Sequence, residues 1–198
     1  MKSYVISCAD GAPDWKSIPQ LSVSEVLWLP DAGICMTQAI CHDDENIFVH
    51  QLAVEKNVRA ELSGADCPVC EDSCMEFFFS PCPDDGRYFN LEINPNGSFF
   101  LGFGHGRGDL KRLHPEVSVF DIRTLRTPDG WETFYRIPLS FIREFYPDYA
   151  FTSGLKIRAN CYKCGDLTET PHYLSWNTVS CETPDFHRPE DFGEMIFE

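Results

Sequence analysis

An all-β fold is predicted for this chain, an antiparallel β-sandwich of jelly-roll type with one or two short helices. Three observations lead there. Aromatic residues make up 14% of the sequence, including 16 Phe, and aromatics favour pleated, half-buried surfaces. No stretch sustains the apolar period of a long helix. From Asp72 to Phe103, DSCMEFFFSPCPDDGRYFNLEINPNGSFFLGF, apolar residues alternate through three segments separated by turn residues. Met75, Phe77 and Phe79 take one face of the first segment, and Cys74, Glu76 and Phe78 the other, because strand side chains alternate. Phe89, Leu91 and Ile93 repeat the apolar face in the second, opposite Tyr88, Asn90, Glu92 and Asn94. Pro83-Asp84-Asp85-Gly86 supplies the first turn, and Asn96-Gly97 is a strong hairpin signal.

Taken in order, residues 1–20 form a loose entry segment with turn formers Gly11, Pro13 and Pro19. Leu21–Leu29 fits either a strand or a short helix. Ile34–Cys41 and Ile47–Val54 read as a hairpin around the acidic turn His42-Asp43-Asp44-Glu45-Asn46. Residues 57–71 are a loop carrying Cys67 and Cys70, and the three-stranded meander follows. After a Gly-rich charged loop, Val117–Arg123 and Trp131–Ile137 read as strands about the turn Thr127-Pro128-Asp129-Gly130. Leu139–Phe145 reads as one or two helical turns, and Gly154–Tyr162 alternates as a strand. The tail from Cys164 to Pro189 is loop by composition, with one aromatic knot at Tyr173–Trp176, and Glu194–Phe197 closes the fold. No repeat or linker interrupts the pattern, so residues 1–198 are expected to form a single domain.

The formal net charge of −15 argues against nucleic acid and anionic membrane surfaces as partners. A neutral ligand such as a mono- or oligosaccharide is compatible with it, and so is calcium. The N-terminus carries no leader-like apolar run, and no segment approaches a membrane span. Ten cysteines then read as reduced thiols of a cytoplasmic protein, extracellular only if a leader has been removed. The oligomeric state is left open.

The polar strand faces offer a binding surface. Glu76 and Phe78 fall beside Asn90 and Glu92, and beside Arg158, Asn160 and Tyr162 if that strand pairs nearby. Amides, carboxylates and an aromatic ring on one face can satisfy sugar hydroxyls while a ring stacks on the apolar side. A solvated outer face with a Glu–Arg pair is the plainer reading. The pairs Cys67/Cys70 and Cys161/Cys164 hold enough thiols for zinc, but their wide separation and the strand context of Cys161 favour ordinary buried thiols. Calcium could use Asp43-Asp44-Glu45 or Glu71-Asp72, neither of which has EF-hand spacing.

Several segments, in this order, resemble the family 9 carbohydrate-binding modules, in particular free-standing family-9-like proteins of bacteria. They are HDDENIFVH, VCEDSCMEFFFSP, GRYFNLEINPNGSFFLGFG, DGWETFYRIPLSFI and RANCYKCGDLTETPHYLSWNTVSCETPDFHRPEDFGEMIFE. The likeness covers nearly everything after about residue 20. It implies an antiparallel sandwich that binds sugars, at the reducing ends of glycans in the type family. It also implies structural calcium, assigned here to Asp43, Asp44 and Asp72, with no other cofactor required. Such modules accompany glycoside hydrolases and belong to carbohydrate catabolism.

Two tryptophans clamp the sugar in that family. One corresponds to Trp176, and the other position is Cys70. The sugar-bonding carboxylate falls on Glu76, with Asn90, Asn160, Arg158 and Tyr162 as further polar partners. The expected function is non-catalytic carbohydrate binding. Alternatives are an intracellular interaction or structural protein whose sugar site has decayed at Cys70, and a small glycoside hydrolase using Glu76 with Glu92 or Glu71.

Overall fold

The computed structural model describes all 198 residues. Its N-terminal half contains β1 (Ser3–Cys8), β2 (Gln20–Val23), β3 (Glu25–Val26), β4 (Cys35–His42) and β5 (Asn46–Val54). The meander follows as β6 (Cys74–Ser80), β7 (Tyr88–Ile93) and β8 (Phe99–Gly104), with a short β9 (Lys111–Arg112). Next come β10 (Arg123–Thr127), β11 (Gly130–Pro138) and the single helix α1 (Leu139–Arg143). The chain closes with β12 (Lys156–Cys164), β13 (Tyr173–Ser175) and β14 (Gly193–Phe197).

The fold is all-β, as expected, but the sheet is mixed rather than purely antiparallel. Pairing runs along one path, β10-β11-β5-β4-β1-β14-β12-β6-β7-β8-β9. The segment expected to be a loose entry supplies the central β1, which pairs in parallel with both β14 and β4. Tyr4 and Ile6 of β1 enter the core, and the Tyr4 hydroxyl donates to the carbonyl of Pro19 at 2.6 Å. The segment from Leu21 resolves to strands, with β2 on β4 and β3 on β13. Val117–Val119 is a 3-10 turn, and the neighbouring strand starts only at Arg123.

Meander registry follows the alternation. Met75 faces Ile93, Phe77 faces Leu91 and Phe79 faces Phe89 across β6 and β7. These residues meet Met36, Ile40 and Val49 from the other half of the path in one cluster, so the sheet curls around a common core. The opposite face of β6 departs from a solvated polar face. Cys74, Phe78, Tyr88, Tyr162 and Cys164 are buried there beneath Phe186 and Phe192. The tail after β13, polar by composition, lays these two rings over the sheet. That cover converts an outer surface into the floor of a cleft.

Candidate functional site

β6, β7 and β12 build the floor. Glu76 stands directly across from Glu92 on β7 and from Tyr162 on β12, so both carboxyl groups leave the same face of the sheet. Cys74, two residues before Glu76, faces Cys164 on β12. The Cys164 thiol donates to Oε1 of Glu76 at 3.0 Å, and Asn90 Nδ2 donates to Oε1 of Glu92 at 2.7 Å.

The aromatic wall comes from three separated segments. Trp28 follows β3, Tyr173 starts β13 and Phe186 lies in the tail. The backbone of Trp28 is left-handed, with φ of 54°, a conformation that costs a bulky residue about 1 kcal/mol or more. Tertiary contacts hold it there. The indole N–H donates to the carbonyl of Cys181 at 2.8 Å, and the ring packs edge-on against Tyr173 at 5.5 Å. Phe186 lies 5.5 Å from Trp28 on one side and stacks on Tyr162 at 4.1 Å on the other. The half-buried indole therefore forms a positioned edge of the cleft.

Cys70, Asp166, Arg107, Asp185 and His187 complete a cleft of about 220 Å³. Arg107 pairs with Asp185 at 3.0 Å on its rim. Larger, more open depressions lie elsewhere, but the buried carboxyl groups converge here.

The floor favours neutral acids. Burial, followed by the nearby Glu92, holds the Glu76 carboxyl well above the usual carboxylate range. Burial pushes Glu92 up to about 7, against the lowering effect of Asn90 and Arg107. Burial also raises Cys74 to about 12 and lifts Cys70 further. His187 is pushed down to about 4 by burial and then by Arg107, and its Nδ1 lies 2.9 Å from the Tyr88 hydroxyl. A protonated carboxyl both donates and accepts hydrogen bonds. Beside aromatic rings, such groups suit an uncharged ligand with many hydroxyls.

Of the residues expected at the site, Glu76 and Cys70 line this cleft. Tyr162 lies beneath it, and its hydroxyl donates to the carbonyl of Phe186 at 3.1 Å. Asn90 supports Glu92 from below, buried against Gly102. The other three are placed elsewhere. Trp176 is only 4% exposed and packs in the main core over Gly193, where an added Cβ would meet its ring at 2.5 Å. Asn160 is buried, bonding the backbone of Asn177 in both directions. The Arg158 guanidinium is bound to the carbonyls of Phe192 and Gly193.

The expected calcium set does not fit the ion. Asp72 is fully buried and its oxygens accept from the amides of Glu61 and Leu62, from Asn94 Nδ2 and from Arg59. Those partners are nitrogen donors, whereas calcium needs a shell of oxygens. Asp43 Oδ1 accepts from the amides of Glu45 and Asn46, capping its own turn, and Asp44 stands exposed beside it. The two Cys-x-x-Cys pairs do not converge either, since Cys161 enters the main core while Cys164 faces the cleft.

Trp28, Arg107, Asp166, Asp185, Phe186 and His187 are cleft residues that sequence reasoning missed. Only Trp28, an aromatic just ahead of Pro30 in an otherwise alternating segment, carried a local signal.

A curled β-sheet with an aromatic-walled, acid-floored cleft defines a small-ligand binding module. The chain belongs to carbohydrate-binding family 9, whose model matches residues 10–197. Among solved structures it resembles a candidate carbohydrate-binding protein from Bacteroides uniformis ATCC 8492, with 29% identity and a TM-score of 0.85 over 100% of this chain and 99% of that one. A family 9 module from Caldicellulosiruptor kristjanssonii in complex with cellotriose matches at 13% identity and TM-score 0.70, covering 100% and 94%. Its complex with glucose matches at 14% and 0.69, covering 100% and 96%. No curated protein sequence matches.

Proposed function

We propose that this protein binds a mono- or oligosaccharide, without catalysis, in the cleft beside Glu76. The observation that carries this reading is the Trp28–Tyr173–Phe186 edge standing over two carboxyl groups held at the protonated end of their range. Trp28 stacks on the apolar face of a sugar ring, taking the role expected of an aromatic clamp. Glu76 and Glu92 exchange hydrogen bonds with its hydroxyls, and the Arg107–Asp185 pair closes the rim. Family membership and the sugar complexes of the Caldicellulosiruptor module support the ligand class.

Two features favour binding over hydrolysis. Glycosidase carboxyls flank the scissile bond, whereas Glu76 and Glu92 project side by side from adjacent strands. Burial also raises both carboxyl groups above the usual carboxylate range, which disfavours the ionised form that a nucleophile needs. Ten unpaired cysteines support a reducing compartment. Titration calorimetry against glucose, cellobiose and cellotriose tests the reading, with heat of binding expected for at least one sugar. Absence of binding across a wider glycan panel would remove it.

A further inference from the structure

At the floor of the cleft, two thiols converge on Glu76, the carboxyl that also lines the cleft. Cys74 and Cys164 face each other across β6 and β12, and Glu76 follows Cys74 by two residues on the same face. One ligand atom from each lies within 4.8 Å of the others, and all three residues are buried. Cys70 lies at the same end of the cleft, its carbonyl 3.9 Å from the Cys164 sulfur. We propose that Cys74, Cys164 and Glu76 form a binding site for a thiophilic divalent cation of the zinc class, open toward the cleft.

Three arguments carry it. The first is geometry. Tetrahedral zinc bonds sulfur at about 2.3 Å and carboxylate oxygen at about 2.0–2.2 Å, so its ligand atoms lie roughly 3.5–4 Å apart. Atoms already within 4.8 Å reach that arrangement through side-chain adjustment alone. The second is rigidity. All three ligands sit on paired strands, so the site is preorganised.

The third is charge. The Cys164 thiol bonds Glu76, and the Lys163 ammonium is paired with Glu55 and His172. A divalent ion would bind the thiolates and the carboxylate and supply their counter-charge. Two sulfurs and one oxygen select zinc, or cobalt as its spectroscopic substitute, over calcium or magnesium. Glu76 and Cys164 also line the cleft, which gives an ion a path to the site.

The inference does not rest on sugar binding, and its test uses no sugar. The full chain, reduced with a phosphine and stripped with chelator, is titrated with zinc against a chromophoric competitor and separately with cobalt(II). One equivalent of zinc is expected, and cobalt should give a thiolate charge-transfer band with tetrahedral visible absorption. Cys164→Ser and Cys74→Ser should each weaken zinc binding by about 100-fold or more and abolish the charge-transfer band. Cys35→Ser, an exposed thiol on β4, should change neither. Glu76→Gln, which preserves shape, keeps the test open if a cysteine variant fails to fold. Absence of a stoichiometric site, zinc affinity unaltered in all three ligand variants, or a mass two protons lower from a Cys74–Cys164 disulfide after reduction would each overturn the proposal.

Discussion

Replacing Glu92 with Gln should stabilise the protein at neutral and alkaline pH and leave it nearly unchanged in acid. The carboxyl rises from 4.5 to about 7 because burial disfavours its charge. A raised value means that the folded state holds the proton more tightly than the unfolded chain. That contribution is complete below pH 4.5 and is lost as pH climbs through about 7. A shift of this size corresponds to about 3 kcal/mol, and about 2 kcal/mol after allowing for the water that reaches the half-buried side chain. Gln keeps the oxygen that accepts from Asn90 Nδ2 and removes the ionisation. Urea denaturation of both proteins, reduced and with chelator present, should show the Gln variant gaining about 2 kcal/mol as pH rises from acid to mildly alkaline. Equal stability at every pH, or a uniform loss, would refute the assignment of burial as the cause.

Three further outcomes follow from other parts of the molecule. Lys163 is buried between Glu55 at 3.1 Å and His172 at 2.7 Å, so Lys163→Met should cost about 3–5 kcal/mol in denaturation by stranding the Glu55 charge. His187, held down at about 4, stabilises the fold fully only above about pH 6.5 and loses that contribution as pH falls toward 4. His187→Gln should therefore flatten the acid limb of the stability profile by about 2 kcal/mol, and an unchanged limb would contradict the burial of this ring. Trp176→Phe should lower stability by about 1–3 kcal/mol through the gap left over Gly193, while calorimetry shows unaltered sugar affinity.

The meander was legible because its information is local. Alternation and the Asn96-Gly97 turn specify which faces of β6, β7 and β8 meet, and the pairing of Phe77 with Leu91 and Phe79 with Phe89 follows. The parallel placement of β1 was not, because its partners β14 and β4 are distant and no turn marks the contact. Glu76 was legible as a residue of the non-core face. Its burial was not, since the tail that covers it reads as polar loop until Phe186 and Phe192 are seen in place.

The aromatic wall shows the same limit. Tyr173 and Trp176 are three residues apart in an extended segment and so take opposite faces, Tyr173 toward the cleft and Trp176 into the core. Trp28 reaches the cleft through a left-handed turn and a bond to the carbonyl of Cys181, which no local pattern encodes. The surroundings of Asp72 were hidden for a similar reason. Its neighbours in space are the amides of Glu61, Leu62 and Asn94 and the Arg59 guanidinium, and acidic spacing alone does not reveal them.

The most direct measurement is calorimetric titration of the wild-type protein and Trp28→Ala with glucose, cellobiose and cellotriose, folding being checked by circular dichroism. At least one sugar should bind the wild type, and the variant should lose about tenfold or more in affinity as stacking and the buried ring area disappear. No sugar bound by the wild type, or equal affinity in a folded Trp28→Ala protein, would contradict a sugar site at this cleft.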